Sequence, residues 1–513
     1  MKKLLFYFAI IMLPSALYAL SGSGSQVDPW IIQNEDDLVT IMDEFSYWDD
    51  HIEIDLTSGT YLDMSGKSCS AIGTSLEHFT GHFDGKNVEI RNLDIGATNL
   101  DNQGLFGYIE YPSTVQNVIL KDVSITGDEY VGGLCGRNKG GTISFCSSSG
   151  EVNGTKRSGG LCGSNRNHDN GSTTYIGTIA NCSSSCDVDN EERAAGGLCG
   201  QNYSADILNS FSSGDVKCGG TDRNSIAGGF IGVNQGSTLR KPTILNCYST
   251  GNVEADYNLS NYNEGGRVGG FCGGNMSGII ENSYSTGNAT GNRWVGGFSG
   301  DNSFIGPYGS SIIKNCYSTG DAEGYVVGGF CGMSGGSDFE NCYSTGDAEG
   351  EDYVGGFCGS AAGAGIEKCY STGDAEGEDY VGGFIGRVEV VEIEKCYSTG
   401  MPVAASATNE GGFIGYRISC DITCCFWNTS TSGKNDAVGN GSDDGITGLN
   451  NSQFSDQSYF ESCLDFNYGT WMMTSGGPVL TELTIPTLSE WAAIGFIGLL
   501  AGIGGIFIWR KIA

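Results

Sequence analysis

Ten copies of one short string run along this 513-residue chain: two glycines, a Leu or Phe, any residue, then a glycine. They centre on Leu134, Leu161, Leu198, Phe230, Phe271, Phe298, Phe330, Phe357, Phe384 and Phe413, and a looser copy reads Gly104-Leu105-Phe106-Gly107. Phe330, Phe357 and Phe384 are spaced by 27 residues, and the widest interval is 41. A recurring period in this range means one small unit stacked many times. Such an array builds a long surface, not a single pocket.

A second string keeps phase with the first. Asn315-Cys316-Tyr317-Ser318-Thr319-Gly320 returns as Asn341-Cys342-Tyr343-Ser344-Thr345-Gly346 and as Lys368-Cys369-Tyr370-Ser371-Thr372-Gly373. Residues 342–357 and 369–384 are identical, so like stacks on like. One unit therefore holds an apolar start (Ile366), a Cys-Tyr strand, a Gly-Asp turn, a Val-Gly-Gly-Phe strand and a variable loop. Ile366 and Cys369 are three residues apart, so a bend must separate them if both point inward.

The strands are short, β-branched or aromatic, and bounded by Gly, Asn, Asp and Ser, which reads as all-β. A β-propeller needs about 40–50 residues per blade, more than this unit offers. The expectation is a parallel β-solenoid (β-helix) of about eleven coils, on the order of 50 Å long at the spacing of paired strands. Glycine, 84 residues of the chain, suits the tight corners because it accepts positive φ, and the double glycine before each Leu or Phe leaves no side chain where coils turn or pack closely. With only 8 prolines and no Gly-X-Y period, collagen is excluded. The net charge of −34 leaves no basic footprint for nucleic acid.

The ends read differently. Lys2 and Lys3 precede an apolar run over 4–13, with small residues at Ser15, Ala16, Ala19 and Ser21. This is the pattern of a secretory signal peptide over 1–21. Residues 22–99 are read as an N-terminal cap and first coils, with a helix around 35–45 that puts Leu38, Ile41, Met42 and Phe45 on one face. The solenoid proper spans 100–430. A C-terminal cap over 431–483 is expected to pack through Phe466 and Trp471. Near the C-terminus, the uncharged stretch 492–509 is flanked by Trp491 and by Trp509-Arg510-Lys511, as in a transmembrane helix with its basic end in the cytoplasm.

Two of these patterns carry a resemblance. The string Ile485-Pro486-Thr487-Leu488-Ser489-Glu490-Trp491, followed by the apolar span and basic end, resembles a C-terminal sorting signal of the IPTL type. Ala492 stands where family members usually have Gly. The resemblance implies that 484–513 is recognised, and processed, by an exosortase-like membrane peptidase. The Gly-Gly-Leu/Phe-x-Gly strings, with Asn-Cys-Tyr-Ser-Thr-Gly between them, resemble the GLUG-motif repeat proteins of bacterial surfaces. Phe79-Thr80-Gly81-His82-Phe83-Asp84-Gly85 resembles their opening coils, and Cys425-Phe426-Trp427-Asn428-Thr429-Ser430 their closing segment. The resemblance implies an exported β-solenoid at the cell membrane or surface, with an adhesive role and no established chemistry. Some large members carry a peptidase, but this chain has no His-Glu-x-x-His string.

Candidate site residues are few. Most of the 20 cysteines recur at two repeat positions, so Cys331 and Cys358, and Cys342 and Cys369, fall on neighbouring coils. Two readings stand: a ladder of buried thiols, or disulfides between coils, which the coil spacing would allow. Ile231, Ser299, Ser210 and Ser283 at equivalent positions fit small buried side chains better than obligatory bonds. Cys420, Cys424 and Cys425 lie outside the ladder on this reading and are candidates to pair with Cys463. No Cys or His spacing selects a metal site. The acidic turns at 346–352 and 373–379 stack, either as a solvated edge or as a calcium-recruiting one. The four histidines, His51, His78, His82 and His168, lack a nucleophile context. The expected protein is thus a structural or adhesive surface protein, without a cofactor or catalytic set. Its partners would be the membrane, a sorting peptidase, and surface glycans or proteins met by loops and by a tyrosine ladder (Tyr317, Tyr343, Tyr370, Tyr397). The alternatives are a polysaccharide lyase or hydrolase on a β-helix and a calcium-dependent binding module.

Overall fold

A computed structural model describes residues 20–481, apart from 57–59, 97, 220–224, 256–265, 305, 407–408 and 467–468. The expected signal peptide over 1–21, apart from its last two residues, the expected sorting string 485–491 and the expected span 492–509 lie outside the described residues. Among the described residues, no helix is long and apolar enough to cross a membrane.

The chain winds into a stack of short parallel strands, a β-solenoid of about twelve turns. One coil shows the pattern: Gly365–Glu367, Tyr370–Ser371, Ala375–Gly377, Val381–Gly382 and Ile385–Glu389. Each strand of this coil pairs in register with its equivalents 27 to 29 residues away, so the coils form long parallel sheets. We name them by their residues. Among the described residues, the Ile sheet has 14 strands, the Cys-Tyr sheet 23, the Val-Gly sheet 10 and the Asn sheet 12. The Asn sheet runs from Phe106–Glu110 to Val438–Asn440. The last rung falls beyond residue 430, so coils continue into the segment expected to be only cap. The stretch expected to be a variable loop is instead the Asn sheet.

Three side-chain devices hold successive coils together, and a fourth closes each coil on itself. Phe230, Phe271, Phe298, Phe330, Phe357, Phe384 and Phe413 are fully buried. Neighbouring rings stack at centroid distances of 4.7 to 4.9 Å. Inside the Asn sheet, Asn138, Asn165, Asn202, Asn234, Asn275 and Asn302 form an amide ladder, each Nδ2 donating to the next Oδ1 at 2.9 or 3.0 Å. The asparagine before each Cys-Tyr pair makes a second ladder, with Asn341 Nδ2 donating to Asn315 Oδ1 and Asn315 Nδ2 to Asn282 Oδ1, both at 3.0 Å. Finally, the Ser after each Tyr reaches across the coil: Ser318, Ser344 and Ser371 Oγ donate to the carbonyls of Gly329, Gly356 and Gly383 at 2.6 to 2.7 Å. That last bond ties the two sequence strings of each unit to one another.

The bend required between Ile366 and Cys369 sits on Lys368, at φ 54°, and the matching Asn315 and Asn341 share that φ. Asparagine tolerates the left-handed region through local hydrogen bonding, which explains its recurrence there. The double glycines leave room for close packing, as expected of them, and do not depend on positive φ. Neither Gly355 nor Gly356 has positive φ; a Cβ on Gly355 would lie 2.2 Å from the Cys358 carbonyl oxygen, and one on Gly356 would lie 2.4 Å from that of Gly383. Space, and not backbone freedom, selects glycine at these corners.

At the N-terminus, Glu35–Asp43 is an α-helix capped by Asn34 that buries Leu38, Ile41 and Met42. The helix ends two residues early, so Phe45 leaves its apolar face and is 63% exposed. At the C-terminus, the short helix Asn451–Phe454 starts with a capping box from Asn450 and Gln453. The antiparallel pair Trp471–Thr474 and Gly477–Leu480 completes that cap.

Two pairs of substitutions test these constraints. Gly329→Ala places a Cβ 2.3 Å from the Gly356 carbonyl oxygen, whereas at Gly476 the nearest atom is 3.9 Å away. Gly329→Ala is expected to lower unfolding free energy by about 1–3 kcal/mol in urea titration, and Gly476→Ala to leave it unchanged. Asn315→Ala is expected to cost more than Asn315→Gly, because Ala loses the amide rung and also pays about 1–2 kcal/mol for left-handed backbone. Equal losses would show that the amide and not φ decides the position.

Candidate binding surfaces

In the Cys-Tyr strand, Cys and Ser point into the coil, so the Tyr between them points out. Phe211, Tyr248, Tyr284, Tyr317, Tyr343, Tyr370 and Tyr397 make a stacked ladder with centroid spacings of 4.8 to 5.0 Å. The ladder is not an open platform. Tyr248, Tyr370 and Tyr397 are buried, and Tyr317 and Tyr343 are half-buried. Over the last rungs lies the C-terminal cap. Trp471 sits 6.2 Å from Tyr370 and 6.0 Å from Tyr397, and Phe454 meets Tyr397 edge-on at 5.8 Å. The Tyr397 hydroxyl donates to the Pro478 carbonyl. Burial pushes the Tyr343 hydroxyl up to about 12. Trp471 anchors the cap as expected, Phe466 is only partly buried against it, and Phe454 and Phe460 are buried in the same cluster. The capping-box string at 450–453 was the available signal for that helix.

The structure places Cys331 beside Cys358, and Cys342 beside Cys369 through the Tyr343 and Tyr370 register; all four are buried thiols. Each donates to a carbonyl of its own strand, Cys331 to Met333 at 3.1 Å and Cys342 to Glu340 at 3.3 Å. Ser210 and Ser283 make the same bond to Leu208 and Glu281 at 2.8 and 2.9 Å. That shared bond accounts for the Cys–Ser exchange along the ladder. Burial pushes Cys247 up to about 12 and Cys186 up to about 11, which leaves both inert. The one disulfide among the described residues joins Cys424 to Cys463, with Cα atoms 5.3 Å apart. Cys424 occupies the left-handed bend, at φ 54°, and therefore faces outward to the cap. Cys425 is the inward residue that follows and belongs to the ladder, contrary to the sequence reading.

The acidic turns are wired along the stack. Asp321 Oδ1 accepts the Asp347 amide at 2.9 Å, and Asp347 Oδ1 accepts the Asp374 amide at 2.8 Å. One carboxylate oxygen per coil is thus spent on the next coil. Glu323, Glu349 and Glu376 are in register beside them. Glu323, Tyr325, Glu349 and Glu351 line an open groove of about 340 Å3. Among the described residues, no three His, Cys, Asp or Glu side chains are grouped to hold a metal ion.

The histidines fall in two places. His51 and His82 stack at 4.3 Å in a groove of about 450 Å3 that also includes Glu53, Asp84, Thr114 and Gln116. Lys86 lies 3.1 Å from Glu53 and 3.2 Å from Asp84, so one cation neutralises both carboxylates. His78 and His168 instead contact Glu110, at 2.6 and 3.1 Å.

Comparison with known proteins agrees with the repeat. The description "The GLUG motif" matches residues 192–217, 264–290 and 350–376. Halomucin of Haloquadratum walsbyi is 29% identical over 147 residues, which is 27% of this chain and 2% of that protein. A protein of Evansella cellulosilytica named as a Gly-rich membrane protein is 29% identical over 145 residues, 26% of this chain and 16% of its own length. The chain therefore spans a small part of either relative. A solved Bacteroides ovatus structure, named as an immunoglobulin A1 protease, overlays with a TM-score of 0.27 at 15% identity, covering 91% of this chain and 95% of that one.

The thiol and tyrosine burial gives a pH test with a defined sign. The folded values of Cys186, Cys247 and Tyr343 lie above the ordinary ones of 9.0, 9.0 and 10.0. Unfolded chains therefore lose these protons first, and stability is full below about pH 9 and declines from there towards about pH 12. In reducing buffer the urea midpoint is expected to drop between about pH 8 and about pH 10.5, by the equivalent of at least about 1 kcal/mol. An unchanged midpoint would mean that these groups are solvated in the folded chain.

Proposed function

We propose that the protein is exported, held at the cell membrane or surface by its C-terminal segment, and acts there as a structural or adhesive rod. The observation that carries this reading is the coil itself. Its side chains recur in register from turn to turn, so the outer faces are strips, and the functional groups are spread along them. A strip suits repeated weak contacts, whose combined strength grows with the number engaged. The two relatives' names, halomucin and a membrane protein, support the same setting. The string 485–491 supports anchoring through a sorting peptidase. The covered tyrosine ladder shifts the contact surface to the loops and to the other outer faces.

Catalysis is no part of the proposal. The paired carboxylates at Glu53 and Asp84 share Lys86, and the turn aspartates accept amides. Both arrangements support a structural role for those groups.

The test uses the full-length protein in cells that carry the sorting system. Protease applied to intact cells is expected to degrade the repeat region. The double substitution Pro486→Ala with Glu490→Ala is expected to leave an unprocessed chain in the membrane fraction. Adhesion of cells to glycan- or protein-coated surfaces is expected to fall when the repeats are deleted. Shortened chains in a polysaccharide panel, or a protease-resistant repeat region, would overturn the proposal.

A further inference from the structure

The outer face of the Asn sheet carries an unusual cluster for so acidic a chain. Its first coils align Tyr108, Arg137, Ser164 and Gln201 in one row, and Glu110, Lys139, Arg166 and Tyr203 in the next. Ser164 is thus the neighbour of Arg137 on the adjacent coil, and it shares a strand face with Arg166 two residues on. Lys139 lies 2.7 Å from Glu110, which also takes His78 and His168. Glu129 pairs with Arg157, and Asp128 with Lys156. These pairings use up the carboxylates that border the cluster.

Arg137 and Arg166 have no carboxylate among the described residues. Arg137 lies over the rings of Tyr108 and Tyr130 at 5.2 and 4.9 Å, and Arg166 over Tyr203 at 5.3 Å. The Nε atoms of both arginines and the Ser164 hydroxyl are buried without a hydrogen-bond partner among the described residues. Ser164 itself is 1% exposed. Leaving a buried polar group unmet costs about 1–3 kcal/mol. Desolvation lowers Arg166, and Arg137 lowers it further, so the two cations repel one another. Both side chains remain partly exposed, which leaves a way in from solvent.

We propose that Arg137, Ser164 and Arg166 form a binding site for an oxyanion, the sulfate, phosphate or carboxylate group of a ligand. Two guanidinium forks and one hydroxyl match the several acceptor oxygens of such a group. The ligand removes the repulsion between the arginines and supplies acceptors to the three buried donors. The tyrosines set the arginine positions before the anion arrives. The site does not depend on the surface role proposed above.

Equilibrium dialysis of the full-length protein at low ionic strength tests this, with inorganic sulfate, inorganic phosphate and glucuronate as separate probes. At least one probe is expected to saturate at one site per chain. Arg137→Gln and Arg166→Gln are each expected to weaken it 10-fold or more, and Ser164→Ala less. Arg387→Gln, at an arginine that pairs with Glu389 at 2.7 Å, is the control expected to bind as before. A parallel reading needs no variant: the bound anion protects Arg137 and Arg166 from phenylglyoxal, read by peptide mass. No saturable binding of any probe to the unmodified protein would overturn the site, as would full binding by a folded Arg137→Gln/Arg166→Gln chain. Unprotected arginines under saturating anion would do the same.

Discussion

Everything in this molecule depends on how closely one coil's backbone lies against the next. Parallel strands hydrogen-bond at about 4.8 Å, and every residue in a coil must accept that spacing from a near-copy of itself. Aromatic rings accept it well, because offset-stacked rings prefer about the same separation. The Phe stack inside and the Tyr stack outside both settle at 4.7 to 5.0 Å. Asparagine accepts it through amide-to-amide bonds. Where backbones or carbonyls crowd further, only glycine remains.

The same spacing governs charge. Like carboxylates stacked this closely repel, yet the turn aspartates persist because each accepts the amide of the next coil. The chain carries a net charge of −34 and distributes it along an edge, where it also discourages edge-to-edge association. Against that background, arginines without carboxylates on one face stand apart from the pattern. A repeat that places the same group on every coil makes departures from the repeat the informative positions.

The ends follow a different physics. A solenoid leaves unpaired strand edges, and both caps cover apolar surface with helices. The C-terminal cap folds back along the side and packs Phe454 and Trp471 on the tyrosine ladder. The Cys424–Cys463 bond fastens it there, from a bend position that points outward.

From the sequence alone, the period identified the solenoid and the phase of its two strings, because stacking like on like demands a repeat. It also implied the bend between Ile366 and Cys369, although not that Lys368 and its Asn counterparts carry it. The double glycines were legible as places where coils pack closely, but the carbonyls they meet were not, since contact across coils is invisible in a string of letters. Whether Tyr370 and Tyr397 were core or surface depended on the cap, which lies 74 residues from Tyr397 to Trp471 in the chain and beside it in space. Likewise Cys425 and Cys424 differ only in which side of one bend they face. The oxyanion cluster had no sequence signature, because Arg137, Ser164 and Arg166 meet only when two coils stack in register. Local pattern determined the unit; the packing of units, a tertiary matter of which atoms face each other across a few ångströms, decided what its surfaces offer.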